Sequence, residues 1–220
     1  MKLTKTLFFI TAAALFTLTS CLSSKSVENT KDNFPELKNV MAIHNPEPEG
    51  EIELLDNFED GNYWQAEGFQ KENDFSIETE ISSLWYTEGS FSGQWTFGER
   101  TENGTSSFYC EALLDKNWTD APYLIVDINN ATSSPVLIQV AVESGKENAE
   151  TFTQEVAIGV GENTNVYFDL LHSLTDKDGN SVPGIYESSQ IKKLSFIVKG
   201  NSSSGEIFAD NIRLARSTSL

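Results

Sequence analysis

The stretch GEIFADNIRL, residues 205–214, alternates apolar and polar side chains as a half-buried β-strand does, but the alternation changes phase in its middle. Ile207 and Ala209 share one parity, whereas the apolar residues that follow Asp210 and Asn211 share the other. One extra residue in a strand, a β-bulge, produces such a change and re-aims the side chains beside it. The stretch therefore predicts a core strand with a bulge at this pair.

The chain upstream of this stretch reads as short strands separated by turn signals such as Asp60-Gly61 and Asp178-Gly179. Thr, Ser, Val, Ile, Gly and aromatic residues dominate it, which favours an all-β class. Strands at this spacing predict an antiparallel two-sheet jelly-roll β-sandwich. The predicted domain is 51–215, and its ten predicted strands are 52–58, 75–81, 90–97, 107–114, 123–129, 136–143, 152–158, 165–170, 193–199 and 206–214.

The chain is strongly acidic. Its 220 residues contain 33 Asp and Glu against 15 Lys and Arg, for a formal charge of −18. Such a surface repels phosphate backbones and argues against nucleic-acid binding. It suits neutral ligands and divalent cations, although an acidic surface also serves simply to keep a secreted protein soluble.

The first 21 residues, MKLTKTLFFITAAALFTLTSC, have the layout of a secretory signal peptide, with Lys2 and Lys5 before an apolar run that is too short for a stable membrane span. Residues 18–21, LTSC, resemble a bacterial lipobox. That resemblance implies removal of residues 1–20, lipidation of Cys21 and a lipid-anchored place in the bacterial envelope, at the outer membrane or cell surface. A plain signal peptide with an incidental cysteine is the alternative.

Residues 21–50 are polar and interrupted by prolines, so we predict a flexible tether that carries the domain away from the membrane. Cys110 would then have no disulfide partner, and its apolar neighbours of the same parity predict a buried thiol. No zinc-hydrolase motif, paired cysteines or glycine-rich phosphate loop is visible in the sequence. The chain is therefore predicted not to be an enzyme.

Several strands place aromatic, amide or acidic side chains on their outward parity. These are Tyr109, Tyr123, Asp127 and Gln139, and we predict that they form one ligand-binding sheet face. Flat rings suit the apolar faces of sugars, while amides and carboxylates suit their hydroxyls. An ordinary solvated sheet face is the alternative. Trp85 and Tyr86 lie in a predicted loop, where they would reach the ligand or else plug the sandwich edge.

Five segments in this order carry a resemblance: LLDNFEDGNYW, TEGSFSGQWTF, NWTDAPYLIVDINNATSSPVLIQV, VYFDLLHSL and GEIFADNIRL. Together they resemble the jelly-roll, galactose-binding-like carbohydrate-binding modules of bacterial glycanases, over residues 52–214. The resemblance implies that the first and last strands are neighbours and that Trp95 and Trp118 are core residues.

The same resemblance implies a structural calcium ion that joins the first and last strands. Its ligands would include Glu59, Asp60 and Asp210, since calcium takes several carboxylate and carbonyl oxygens. The alternative is that Asp210 accepts hydrogen bonds from turn amides without a metal. The sequence leaves both open.

The expected function is non-catalytic binding of a poly- or oligosaccharide by an envelope lipoprotein. A second hypothesis is a structural or assembly role, because the sandwich also resembles, more remotely, the sheath proteins of spirochaete periplasmic flagella. A third is a small glycan hydrolase or lyase.

Overall fold

The computed structural model describes residues 50–69, 77–98, 104–113, 115–199 and 204–217. The regular secondary structure of these residues consists of β-strands. In this described part of the chain, no helix is long and apolar enough to cross a membrane. The predicted signal peptide and Cys21 lie outside the described residues, as does the predicted tether up to residue 49.

The described residues form strands that are named here in chain order. They are β1 Ile52–Asp56, β2 Gln65–Phe69, β3 Glu78–Ser82, β4 Ser92–Phe97, β5 Thr105–Cys110, β6 Tyr123–Asn130, β7 Val136–Ser144, β8 Ala149–Phe152, β9 Val156–Ile158, β10 Gly161–Asp169, β11 Leu174–Asp176, β12 Ser181–Val182, β13 Ile191–Lys199 and β14 Gly205–Ala215.

The strands form two sheets with antiparallel pairings. Sheet 1 has the order β10-β6-β14-β4-β3, and β1 also pairs with β14. Sheet 2 has the order β12-β11-β8-β7-β13-β5-β2, and β9 also pairs with β7. The prediction of an all-β, two-sheet antiparallel sandwich is confirmed, with the short strands β2, β11 and β12 added and one predicted strand divided into β8 and β9.

The first and last strands are neighbours, as predicted. Ile52 pairs with Ala215, and β1 continues along the same edge of β14 that β4 occupies further up. Because β14 pairs with β6 on its other edge, the last strand lies in the middle of sheet 1. The C-terminal segment is therefore part of the core of the fold.

The predicted bulge in β14 is present. Asp210 pairs with Asp127, but the next pair is Arg213 with Ile125, so β14 has one residue more than β6 between the two pairs. Asn211 has a φ of 53°, in the left-handed region that asparagine tolerates better than most residues. The bulge brings Ile212 back to the core side, which accounts for the change of phase in the sequence.

The two sheets pack around an aromatic cluster. Trp95 of β4 stacks on Phe108 of β5, with ring centroids 5.1 Å apart and an interplanar angle of 7°. Phe196 of β13 and Trp64 lie at similar distances from Trp95. Trp95 is fully buried and Trp118 is 2% exposed, which confirms both as core residues.

Candidate functional site

A row of four side chains crosses the outer face of sheet 2. Strand register places Tyr109 opposite Ser195, Ser195 opposite Ala141, and Ala141 opposite Phe152. The first three alternate with side chains of the hydrophobic core and therefore point away from it. Phe152 is the direct cross-strand partner of Ala141 and so lies on the same face. The row thus runs across β5, β13, β7 and β8, perpendicular to the strands.

The row has small residues in its centre and aromatic rings at its ends. Ser195 is 4% exposed and Ala141 is 3% exposed although both face outward, because larger neighbours surround them. Tyr109 and Phe152 are half-buried and stand three interstrand steps apart, about 14 Å at usual spacing. We call this row the sheet-2 groove.

Tyr109 is held in place from two sides. Its hydroxyl donates a hydrogen bond to Gln65 Oε1 at 2.9 Å, which ties the ring to β2. The Lys193 ammonium lies 4.1 Å from the ring centroid, in cation–π geometry. Lys193 is also 4.0 Å from a carboxylate oxygen of Glu67. The ring is therefore oriented before any ligand arrives.

Gln139 lies on the same outer face as Tyr109, one row away, opposite Ile197. Its amide nitrogen donates to the Thr153 carbonyl at 2.8 Å, and its amide oxygen accepts from Lys199 Nζ at 2.8 Å. Lys199 also pairs with Glu155 at 2.8 Å. Both ends of this amide are thus occupied within the protein.

The prediction of a single binding face is wrong for two of its four residues. Tyr123 and Asp127 belong to β6, which pairs with β10 and β14 in sheet 1, whereas Tyr109 and Gln139 belong to sheet 2. Outward residues of the two sheets lie on opposite sides of a sandwich. Alternation identified the outward parity of each strand correctly but carries no information on which sheet a strand joins.

Asp127 connects separate segments of sheet 1 through the hydrogen bonds of its carboxylate. It is 4% exposed, and one oxygen accepts from Asn165 N at 2.7 Å and pairs with Arg213 at 3.0 Å. The other oxygen accepts from Thr87 Oγ1 at 2.8 Å and Asn211 Nδ2 at 3.2 Å. A carboxylate with four donors and so little exposure has a structural role.

Trp85 and Tyr86 lie on the sheet 1 side, away from Tyr109. Their loop, residues 83–91, follows β3 and covers the bulge of β14, where Thr87 donates to Asp210. The indole of Trp85 donates to Glu162 of β10 at 3.1 Å, while Tyr86 remains 47% exposed. The structure thus groups these two residues with sheet 1.

Asp210 and Glu59, two of the predicted calcium ligands, accept hydrogen bonds from backbone amides. One oxygen of Asp210 accepts from the N–H groups of Thr87 at 2.7 Å and Glu88 at 2.9 Å, and the other accepts from Asn211 N at 2.7 Å. Glu59 Oε1 accepts from two amides of the same loop, at 2.6 and 2.8 Å. Both carboxylates therefore converge on the loop at 83–91.

This arrangement does not fit the predicted calcium ligand set. Among the described residues, no group of three or more His, Cys, Asp and Glu side chains is arranged to hold a metal ion. Asp60 is exposed, and its carbonyl accepts from the Tyr63 hydroxyl at 3.3 Å. The hydrogen bonds match the alternative in which Asp210 binds turn amides, and calcium stays a prediction.

Asp56 is a half-buried acid at the end of β1. It accepts from Phe58 N and Trp64 Nε1, both at 2.8 Å, and it lines a cavity of about 400 Å³ together with Cys110. Burial raises the pKa of Asp56 above its usual 3.8, and the nearby charge of Asp210 adds to the effect, while the two hydrogen bonds oppose it. Burial likewise raises the pKa of the Cys110 thiol.

No protein-family model matches the sequence, and no curated protein resembles it at the sequence level. Solved structures do resemble this protein in fold. A family 11 carbohydrate-binding module from Clostridium thermocellum, solved with a β-1,3-1,4-mixed-linked tetrasaccharide, matches with a TM-score of 0.57 and 18% identity. The match covers 76% of this chain and 96% of the module.

The fold is the jelly-roll β-sandwich of carbohydrate-binding modules. The family 11 module of a cellulosomal cellulase from the same bacterium gives a TM-score of 0.57 at 17% identity, with the same shares of the two chains covered. An exo-β-agarase gives a TM-score of 0.50 at 16% identity over 75% of this chain and 25% of its own. At such identities the likeness establishes the fold.

Sequence reasoning missed Phe152, Ser195 and Lys193 as members of a site. The sequence predicts a strand that begins at Phe152, but it does not show which strand pairs with it or which side of the sheet the ring occupies. Ser195 and Lys193 come close to Tyr109 only because β13 pairs with β5, more than 80 positions earlier in the chain. An outward lysine on a central strand of so acidic a chain was the one available signal.

Proposed function

We propose that the protein binds a poly- or oligosaccharide without catalysis, through the sheet-2 groove. The observation that carries the proposal is the row itself, in which Tyr109 and Phe152 flank a floor of two small residues. Rings at the ends of such a floor offer apolar surfaces to sugar rings, and the exposed carboxylate of Glu67 near Tyr109 can accept hydrogen bonds from hydroxyls. The likeness to carbohydrate-binding modules supports this choice among the functions that a β-sandwich can have.

The mechanism is stacking and hydrogen bonding on a surface that is ordered in advance. The hydrogen bond from its hydroxyl to Gln65 already orients Tyr109, so little side-chain entropy of the ring is lost when a sugar binds. Contact with two rings on a sheet face implies a weak affinity for each sugar residue. A chain that crosses the strands from Tyr109 to Phe152 would touch both rings.

Affinity electrophoresis of residues 50–217 in gels that contain mixed-linked β-glucan, xylan or polygalacturonate tests this proposal. We expect retardation by at least one neutral glycan, and a loss of at least about tenfold in affinity for Tyr109→Ala and Phe152→Ala, because each ring supplies much of the buried apolar area. Tyr123→Ala is the matched control, since this half-buried tyrosine packs on Tyr167 on sheet 1.

Three outcomes would redirect the proposal. Equal losses in Tyr123→Ala and Tyr109→Ala would exclude the sheet-2 groove as the site. No retardation by any glycan, with other envelope proteins co-purifying, would favour the structural or assembly role. Release of reducing sugar from a glycan would show a hydrolase or lyase instead.

We propose further that the protein is a lipoprotein of the bacterial envelope, anchored at Cys21. The support is the signal layout and the LTSC segment of residues 18–21. Labelling with a fatty-acid analogue and membrane fractionation test it, and both the label and the membrane association should be lost in Cys21→Ser.

A further inference from the structure

Lys193 occupies a place in the sheet-2 groove that a stacked sugar would need. Its ammonium is 4.1 Å from the centroid of the Tyr109 ring, and its side chain is only 19% exposed. The lysine side chain thus covers the ring surface that this half-buried tyrosine would offer to a ligand. Phe152, at the other end of the groove, has no such cation above it among the described residues.

Lys193 is flanked by carboxylates on both sides. Glu67 of β2 approaches it to 4.0 Å and is 66% exposed, while Glu143 of β7 is its direct cross-strand neighbour. Glu150 of β8 lies opposite Glu143 in turn. The positive charge is therefore compensated locally, and a glycan carboxylate or sulfate that approached it would meet excess negative charge.

We propose that Lys193 is a specificity-determining residue that competes with the ligand for Tyr109. This inference rests on the proposed function of the groove. A sugar stacks on the Tyr109 ring only after the ammonium has moved aside, because in the free protein Lys193 covers that ring. The flanking glutamates restrict the ligand to uncharged glycans, because they leave no net positive charge for an anionic chain.

Replacement of the lysine tests the competition. Lys193→Thr removes the cation and keeps a residue that suits a strand, so the ring is uncovered. We expect mixed-linked β-glucan to bind at least about two- to fivefold more tightly, because that is the range of an exposed cation–π contact and the Lys193 side chain is largely covered. Lys199→Thr is the matched control, because Lys199 lies on the same face of β13 but pairs with Gln139 and Glu155. The affinity of the Lys199→Thr variant for β-glucan should equal that of the wild-type protein.

Weaker binding of β-glucan by Lys193→Thr would overturn the proposal and make the lysine a direct ligand of the sugar. Equal effects of the two lysine replacements would also overturn it. Polygalacturonate is the anionic probe, and tight binding of it that is lost in Lys193→Thr would contradict the restriction to uncharged glycans.

Nuclear magnetic resonance separates this inference from the proposed function. The ε-methylene protons of Lys193 should be shifted upfield by the Tyr109 ring in the free protein, and Tyr109→Ala should remove the shift. Addition of β-glucan should remove it in the wild-type protein. If the free protein shows no upfield shift, Lys193 does not compete for the ring, but glycan binding by the groove is not contradicted. If the shift is present but no glycan alters it or retards the protein in gels, the proposed function is contradicted.

Discussion

Asp127 and Asp210 are buried and Asp56 is half-buried in a chain whose negative charge suggested a soluble surface and sites for divalent cations. Each fills its oxygens with N–H or O–H donors, and Asp127 also has the cation of Arg213. A buried carboxylate is tolerated when hydrogen bonds replace its water. The net charge of −18 therefore includes acids that organise the fold, and a charge count cannot separate them from the rest.

Asp56 should make stability depend on pH. Because burial raises its pKa in the folded state, folding favours the protonated acid, and this favourable contribution is lost as pH rises from 3.8 through the raised pKa. We compare the wild-type protein with Asp56→Asn, which cannot titrate. The wild-type free energy of unfolding, measured in urea, should fall relative to the variant as pH rises above 3.8. A constant difference between the two proteins would contradict this.

Strand β6 is bordered by a bulge on each side at the level of Asp127. The β14 bulge contains Asn211, and the β10 bulge contains Asn165, with φ values of 53° at both. Both asparagines bond to Asp127, one through its side chain and the other through its backbone N–H. One side chain in the central strand thus stabilises the irregularities of both neighbours.

The bulge in β14 should be sensitive to the backbone preference of residue 211. Asn211→Ala and Asn211→Gly both lose the hydrogen bond to Asp127, but only alanine is strained at a φ of 53°. We expect the alanine variant to be less stable than the glycine variant by about 1 kcal/mol. Urea unfolding of both measures this. A more stable alanine variant would show that the turn is not left-handed.

The bulge of β14 was predictable because an extra residue shifts the hydrophobic alternation within one continuous strand. The β10 bulge is not predictable in this way, since the sequence predicts a strand that begins at Asn165, whereas β10 begins at Gly161. Polar residues at 162–165 hide the alternation there. A bulge is visible in a sequence only where apolar residues continue on both sides of it.

Side-chain contacts join the first and last segments of the sandwich, around β1 and β14. Arg216, just beyond β14, bonds to Glu53 of β1, to Asp115 and to the Thr119 carbonyl. Glu59, after β1, and Asp210, in β14, hold the same loop at 83–91. These contacts join the termini directly through side chains, which is the task that the resemblance assigned to calcium.

Removal of divalent metal should therefore leave the fold intact. We expect the melting temperature of residues 50–217 to be the same in EDTA and in millimolar calcium, because the oxygens of Asp210 are already occupied by N–H groups. A bound structural ion would instead raise it by about 5–10 °C in calcium. Such a rise, lost in Asp210→Asn, would establish the predicted calcium site.

Local pattern was enough to predict an antiparallel β-sandwich with a bulge at Asp210, because alternation, turn residues and phase changes are properties of a few consecutive residues. The family resemblance, carried by segments of the same sequence, added Trp95 and Trp118 as core residues. The grouping of Tyr109 with Phe152, and its separation from Tyr123, depends on which distant strands pair. Strand pairing is settled by the packing of the whole core, so only the tertiary structure could assemble the groove and place Lys193 over its tyrosine.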